Sequence, residues 1–278
     1  MDWLISNPSY TAFLFVDLIA IVTLVAAMRW VTRFMVKPVS QHSEASNIET
    51  GAAVVALMVA LTGVTSGSFS LTLYEEWFLV TSYGILAILL LRLGVWIQDH
   101  VVIASLNLSS ATKHGNTSAA IVTGSHLIGT AIVIQSSMKW ASQDANLGLI
   151  ALLFGFVISQ CLLALETKLR LIWTGGGLLV AINKKQLPVV LKAAFQHIGA
   201  ALAISGSAHF ASAIEYQLQL AVVAWLFSSV VFLLAYLALS ELCVRFVLPK
   251  GEAFEGGRPA LEGAIYLGWG FILPALAS

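Results

Sequence analysis

Apolar and polar positions along this chain are grouped in long blocks and do not alternate over a short period. Eight apolar stretches, 11–28, 51–70, 77–98, 118–138, 147–164, 188–208, 218–239 and 259–277, are separated by polar segments. A helix needs about 20 apolar residues to cross a bilayer, and each stretch meets or approaches that length. Strand-like alternation is absent, so a closed barrel is not a serious rival. The pattern predicts an all-α, polytopic transmembrane bundle of eight helices.

The stretches fall into four pairs with one internal spacing. An 11-residue step leads from a small or turn-forming residue to a glycine: Ala52 to Gly63, Ser118 to Gly129, Pro188 to Gly199 and Pro259 to Gly270. Successive glycines are 66, 70 and 71 residues apart. The expected organisation is four tandem two-helix pseudo-repeats, 1–74, 75–145, 146–214 and 215–278, forming a single membrane domain.

Each unit reads as a first helix, a long polar linker, a second helix and a short turn. Because every unit crosses twice, all long linkers lie on one side. Those linkers hold 11 of the 14 Lys and Arg residues, among them Arg29, Lys113, Arg170, Lys184, Lys185 and Arg258, whereas the opposite side has Lys139 alone. Lys and Arg mark the cytoplasmic side. The expectation is therefore a multi-pass membrane protein with cytoplasmic linkers and both termini facing outward. Met1-Asp2-Trp3 has no basic n-region, so the first apolar stretch is expected to stay as a helix.

The first helices are rich in Leu, Ile, Val and Phe and suit a lipid-facing ring. The second helices carry small residues at helical spacing: Ala52, Ala56 and Ala60; Ala120 and Gly124; Gly199 and Ala203; Ala260, Ala264 and Gly268. Such faces let helix backbones approach closely, which places the second helices at the centre. In the linkers, Trp30 to Lys37 mixes basic and aromatic residues at helical spacing, and Ile172-Trp173 and Phe246-Val247 resemble it. Short interfacial helices are expected there, bounded by Pro38, Pro188, Pro249 and Pro259. Gly175-Gly176-Gly177 reads as a flexible linker.

Composition agrees. The chain is 59% hydrophobic and 10% charged, with mean hydropathy +0.90, against roughly 25% charged residues in soluble domains. Zero net charge argues against a nucleic-acid partner. Cys161 and Cys243 read as reduced packing residues, and no cluster has metal-ligand spacing. No metal or cofactor is implied.

The run Asn116-Thr117-Ser118-Ala119-Ala120-Ile121-Val122-Thr123-Gly124, continuing to Gly129, and the looser copy from Asn47 to Gly63, resemble the YjfL-like family of bacterial inner-membrane proteins, a class named only as a domain of unknown function. The third and fourth units depart from it: Pro188 and Pro259 replace small residues and the Asn is missing. Typical members look like two units, so the resemblance implies a duplication here. It implies fold and location, and no mechanism.

Ionisable groups inside a membrane are expensive and mark functional hypotheses. Asp17 lies well inside the first span, with nothing in its own helix to neutralise it. It reads either as part of a proton- or ion-linked path or as one half of a structural pair. His126 sits mid-span, and the repeat register puts Gln196 at the equivalent position with His197 beside it. Histidine, with an ordinary pKa of roughly 6.5, can carry protons; the other reading is a plain interhelical hydrogen bond. Arg92 and Lys192 can snorkel to the surface. Glu166, Glu241 and Glu262 are expected in interfacial ion pairs, and Tyr266 in the core.

Enzyme signals are poor. Ser205-Gly206-Ser207-Ala208-His209 is too compact to set a nucleophile against a base, and Gly175-Gly176-Gly177 lacks the Lys-Ser/Thr of a phosphate loop. No catalytic residue is assigned. The leading reading is passage of an ion or small solute along Asp17, His126, Gln196 and His197. The alternative is a membrane scaffold or envelope-stress sensor that recruits partners through amphipathic cytoplasmic linkers. The lipid bilayer is the one partner required; a homo-oligomer and a cytoplasmic protein are compatible with either reading.

Overall fold

The computed structural model describes residues 8–35, 44–65, 72–141, 148–212, 218–248 and 257–277. Met1-Asp2-Trp3, Lys37, Pro38, Asp144, Glu215, Pro249 and Lys250 lie outside the described residues. Within them run α1 (Pro8–Met35), α2 (Glu44–Thr65), α3 (Leu73–Ile97), α4 (Leu108–Lys113), α5 (Thr117–Ala141), α6 (Gly148–Trp173), α7 (Gly177–Asn183), α8 (Leu187–Gly206), α9 (Ala208–Ser212), α10 (Leu218–Val247) and α11 (Arg258–Ala277). A π-helical turn, Gln98–Val102, continues α3. No strand occurs among the described residues. Seven of the helices are long and apolar enough to cross a membrane, and α1 contributes a shorter apolar stretch, Ala12–Met28.

The small-residue helices form a row. α2 packs on α5, α5 on α8, and α8 on α11. The Leu- and Phe-rich helices flank it: α1 lies on α3, α3 reaches α2 and α5, α6 lies on α5 and α8, and α10 on α8 and α11. Phe15, Ile19, Leu89, Phe227 and Leu234 stay exposed on α1, α3 and α10, as lipid-facing side chains should. With lipid as apolar as leucine, association must come from close packing and hydrogen bonds.

The spaced glycines sit where helices touch. A Cβ on Gly63 would lie 2.5 Å from the Gln135 carbonyl oxygen of α5, and one on Gly129 would lie 3.0 Å from the His197 ring of α8. Gly199 and Gly270 meet each other, for a Cβ on Gly270 would lie 2.5 Å from the Gly199 Cα. The 11-residue rhythm thus marks close helix approaches in the central row. On α2, Ala56 and Ala60 are fully buried, and Gly124 of α5 leaves room for the Ala52 methyl.

Several expectations need correction. The face Ala260, Ala264 and Gly268 is not the packed face of α11: Ala264 is exposed and a Cβ on Gly268 would meet nothing within 4 Å. α11 ends the row, so one side alone finds a helix. That side is the one carrying Gly263, against Lys192 and Phe195, and Gly270. The expected separate interfacial helices at Trp30, Ile172-Trp173 and Phe246-Val247 are instead the last turns of α1, α6 and α10; no Pro or Gly separates these turns from the spans they continue. The short helices are α4 and α7, which lie deeper in the linkers. Gly175-Gly176-Gly177 is an ordered turn, with φ of 56° at Gly175 and 78° at Gly176, and Gly177 opens α7.

The two central linkers share one build. α4 leads through Gly115, at φ 81°, into α5; α7 leads through Lys185, at φ 55°, into α8. Asn116 caps α5 by accepting from Ala119 N (3.1 Å) and ties the two linkers together by donating to Ile182 O (3.1 Å). The left-handed region costs a side chain about 1 kcal/mol that glycine avoids. Lys185→Gly is therefore expected to stabilise the protein by about that much, seen as a higher melting temperature in detergent. An unchanged or lower value would show that the turn tolerates the Lys without strain.

Candidate functional site

The polar groups of the central row converge where α3, α5, α6 and α8 meet. His126 lies nine residues into α5 and His197 ten into α8. At 1.5 Å per residue both are about 14 Å from the linker end of their helices. Both side chains are buried, at 3% and 5% exposure. Their ring centroids are 5.0 Å apart, and His126 Nδ1 lies 3.1 Å from His197 Nε2.

One proton arrangement satisfies the partners in sequence. His126 Nε2 faces the Gly94 carbonyl oxygen at 2.9 Å, which can only accept, so this nitrogen carries the hydrogen. In the neutral ring Nδ1 is then an acceptor, and His197 Nε2–H donates to it. His197 Nδ1 is left to accept from the Thr167 hydroxyl on α6, at 3.3 Å, a single hydrogen for which Glu166 Oε2, at 3.4 Å, competes. On the far side Thr130 Oγ1 lies 3.4 Å from His126 Nε2 and accepts from Gln160 Nε2 at 3.0 Å. Two glycines make the assembly fit: a Cβ on Gly94 would press on Thr130 at 3.0 Å, and one on Gly129 on the His197 ring.

Thr167 and His197 also line a cavity of about 420 Å³ near the linker end, between α5, α6, α7 and α8. Val122, Leu171 and Val189 supply apolar wall; Gln98, Ser125 and Gln196 supply neutral polar groups; Arg170 and Lys192 supply charge. Arg170 is ion-paired with Glu166, and Lys192 with Glu262, which also accepts from Arg258 Nε at 2.9 Å. With Glu241 paired to Arg245 at 3.0 Å, the three carboxylates lie in the ion pairs expected for them. Lys192 is tied to a neighbouring helix while about a third of its side chain, 32%, stays exposed.

Toward the other end the seam closes. The next polar pair is Ser136 on α5 with Ser205 on α8. Thr130 and Ser136 are six residues apart, about 9 Å along the helix; of the five residues between them Ala131, Ile132, Val133 and Ile134 are buried and apolar, and Gln135 turns aside to donate to Thr62 Oγ1 of α2 at 2.6 Å. The polar seam is thus continuous with the cavity on the linker side and interrupted beyond Thr130.

Of the sequence candidates, His126 and His197 are in contact and Gln196 lines the adjoining cavity. It is His197, not the register-equivalent Gln196, that faces His126; the Gln196 backbone carbonyl accepts from Tyr236 Oη at 2.9 Å. Tyr266 is buried and donates to Glu241 at 2.9 Å. Asp17 is buried elsewhere, on α1 where it packs against α3, and its carboxyl lies against that of Glu76. Thr167, Thr130, Gln160, Gly94 and the π-helical turn that carries Gln98 are missed by the sequence reading. Gln160 and Thr167 fall seven residues apart, on one face of α6, which is the available signal.

Comparison with known proteins finds likeness to a domain of unknown function and to a transmembrane protein. A family model described as Domain of Unknown Function (DUF350) matches residues 70–207, a range containing α3 to α8 and hence the histidine pair and the cavity. A "UPF0719 transmembrane protein" of Aquifex aeolicus (strain VF5) is 23% identical over 215 residues, covering 77% of this chain and 79% of that protein. No solved structure matches.

Proposed function

We propose that the protein provides a route for protons, or for a small ion or solute, through the central helix row, with the cavity as its entrance and His126–His197 as the group that carries charge across the middle. The observation that carries this reading is the hydrogen-bonded histidine pair, buried mid-span and joined through Thr167 to the cavity wall. Intramembrane ionisable groups that line a cavity mark pathways, and Thr167, His197, His126 and Thr130 can pass a proton by reversing their bonds, with the Thr130 hydroxyl at 3.4 Å replacing the accept-only Gly94 carbonyl as the partner of His126 Nε2. Beyond Thr130 the apolar segment acts as the closed gate and must open or hydrate for passage.

The lysine and arginine bias of the linkers supports an inner-membrane orientation with linkers and cavity cytoplasmic and both termini periplasmic. The Asn116-to-Gly129 stretch falls inside the DUF350 match and supports the narrower YjfL-like assignment, with α3 to α8 as a central pair of units and the outer pairs as their duplicates. The role is non-enzymatic. Asp17, facing Glu76 away from the pair, is a structural or secondary element of the route.

The test is flux into proteoliposomes, read with proton-sensitive and monovalent-cation-sensitive dyes under imposed gradients. Flux above that of protein-free liposomes is the expected result. Liposomes no leakier than the protein-free control under every gradient would favour a scaffold that holds partners through its linkers.

A further inference from the structure

From the cavity lining we infer that the site takes a small amphipathic monocarboxylate, a single acidic head on an apolar body. The volume of about 420 Å³ equals roughly fourteen waters at about 30 Å³ each, which admits a short acyl chain with its head group. Most of the wall is apolar, contributed by Val122, Leu171, Val189 and their neighbours. Water alone would leave that surface poorly served, and an apolar body covers it. At one end the wall changes character. Lys192 spends one of its three ammonium hydrogens on Glu262 and keeps two as donors. Arg170 lies in the same lining, no carboxylate is among the lining residues, and the Glu166 and Glu262 carboxylates are committed to ion pairs. Lys184 and Lys185 are exposed next to Gln186, another lining residue, so the approach is basic. Gln98 is 4% exposed, and its Oε1 has no hydrogen-bond partner among the described residues. As an acceptor this oxygen does not bind a carboxylate, and it stays available to water carried in with the ligand.

This inference rests on the cavity being the site proposed above, but it is read by binding alone. The experiment is isothermal titration of the full-length protein, lipid-depleted in a neutral maltoside detergent, with hexanoate, 1-hexanol and hexylammonium. Saturable hexanoate binding is expected, with hexanol and hexylammonium at least tenfold weaker. Lys192→Gln should weaken hexanoate at least tenfold, while Glu262 keeps Arg258 as a partner. Should Lys192→Gln fail to fold, Val189→Trp, which fills the cavity and leaves its charges in place, is expected to abolish binding. Hexanol binding as tightly as hexanoate would reduce the site to an apolar hole and overturn the inference. So would no saturable binding by any of the three, or displacement of hexanoate by phosphatidylglycerol at lower concentration, which would make the ligand a lipid headgroup. Flux without hexanoate binding would remove the ligand and leave the route; hexanoate binding without flux would do the reverse.

Discussion

Gly270→Leu is expected to yield no stably folded protein, while Gly268→Ala, two residues away, is expected to behave as wild type. At Gly270 the first atom of any side chain meets the Gly199 backbone, with its Cα, O and C at 2.5, 2.7 and 3.0 Å. No rotamer relieves a collision between backbones, so α8 and α11 must separate, and with them the Tyr236 and Tyr266 packing around Gly199. Overpacking a core ordinarily costs about 1–3 kcal/mol; here the loss should exceed about 3 kcal/mol, because lipid offers no hydrophobic force to hold the separated helices together. At Gly268 an added methyl meets nothing within 4 Å. Fluorescence-detected size exclusion and thermal melting in detergent check both. A monodisperse Gly270→Leu protein with wild-type melting would show that the two helices do not approach at their glycines.

The second large effect is kinetic. His126→Ala and His197→Ala should each lower flux at least tenfold, which is about 1.4 kcal/mol in barrier height. The double variant should be no slower than either single one. Each ring has one nitrogen facing the other, and each has its second nitrogen on a different partner, Gly94 O for His126 and Thr167 Oγ1 for His197. A relay with one link removed is already broken, so a second removal adds nothing, and the double-mutant cycle reports that as strong non-additivity. Multiplying losses would mean that the rings act independently. The rate of dye response in proteoliposomes of matched protein content is the measurement.

Much of the fold was legible because bilayer crossing imposes coarse rules. Block lengths gave the helices, and small residues placed α2, α5, α8 and α11 in the centre. The repeated glycines pointed to the crossings because a missing Cβ is what close approach requires. The phase of α11 was not legible. Ala260, Ala264 and Gly268 form as good a small-residue stripe as the packed side, and only the neighbour's position decides between them. Linker helices were misplaced for a related reason: no breaker separates the amphipathic ends of α1, α6 and α10 from the spans they continue.

The site was half legible. A mid-span His126 and a His197 near the repeat-equivalent position were visible as costly polar groups. Their contact depends on an offset of one residue between α5 and α8, which register counting cannot supply. Thr167 was assigned to a linker because hydropathy falls before α6 ends, and Gly94 contributes a backbone carbonyl, which has no signature in side-chain patterns. Asp17 shows the limit of reading burial as function: a buried carboxyl drew attention, but its neighbour is Glu76 and not the histidine pair.

The most direct measurement is proton flux into liposomes holding wild type or His197→Gln at equal density. Glutamine keeps a hydrogen-bonding side chain of similar reach and cannot take up and release a proton at that position. The expected result is rapid, gradient-driven acidification by wild type and a loss of at least tenfold in His197→Gln, with both proteins melting at similar temperatures. Equal flux from the two would contradict passage through the histidine pair.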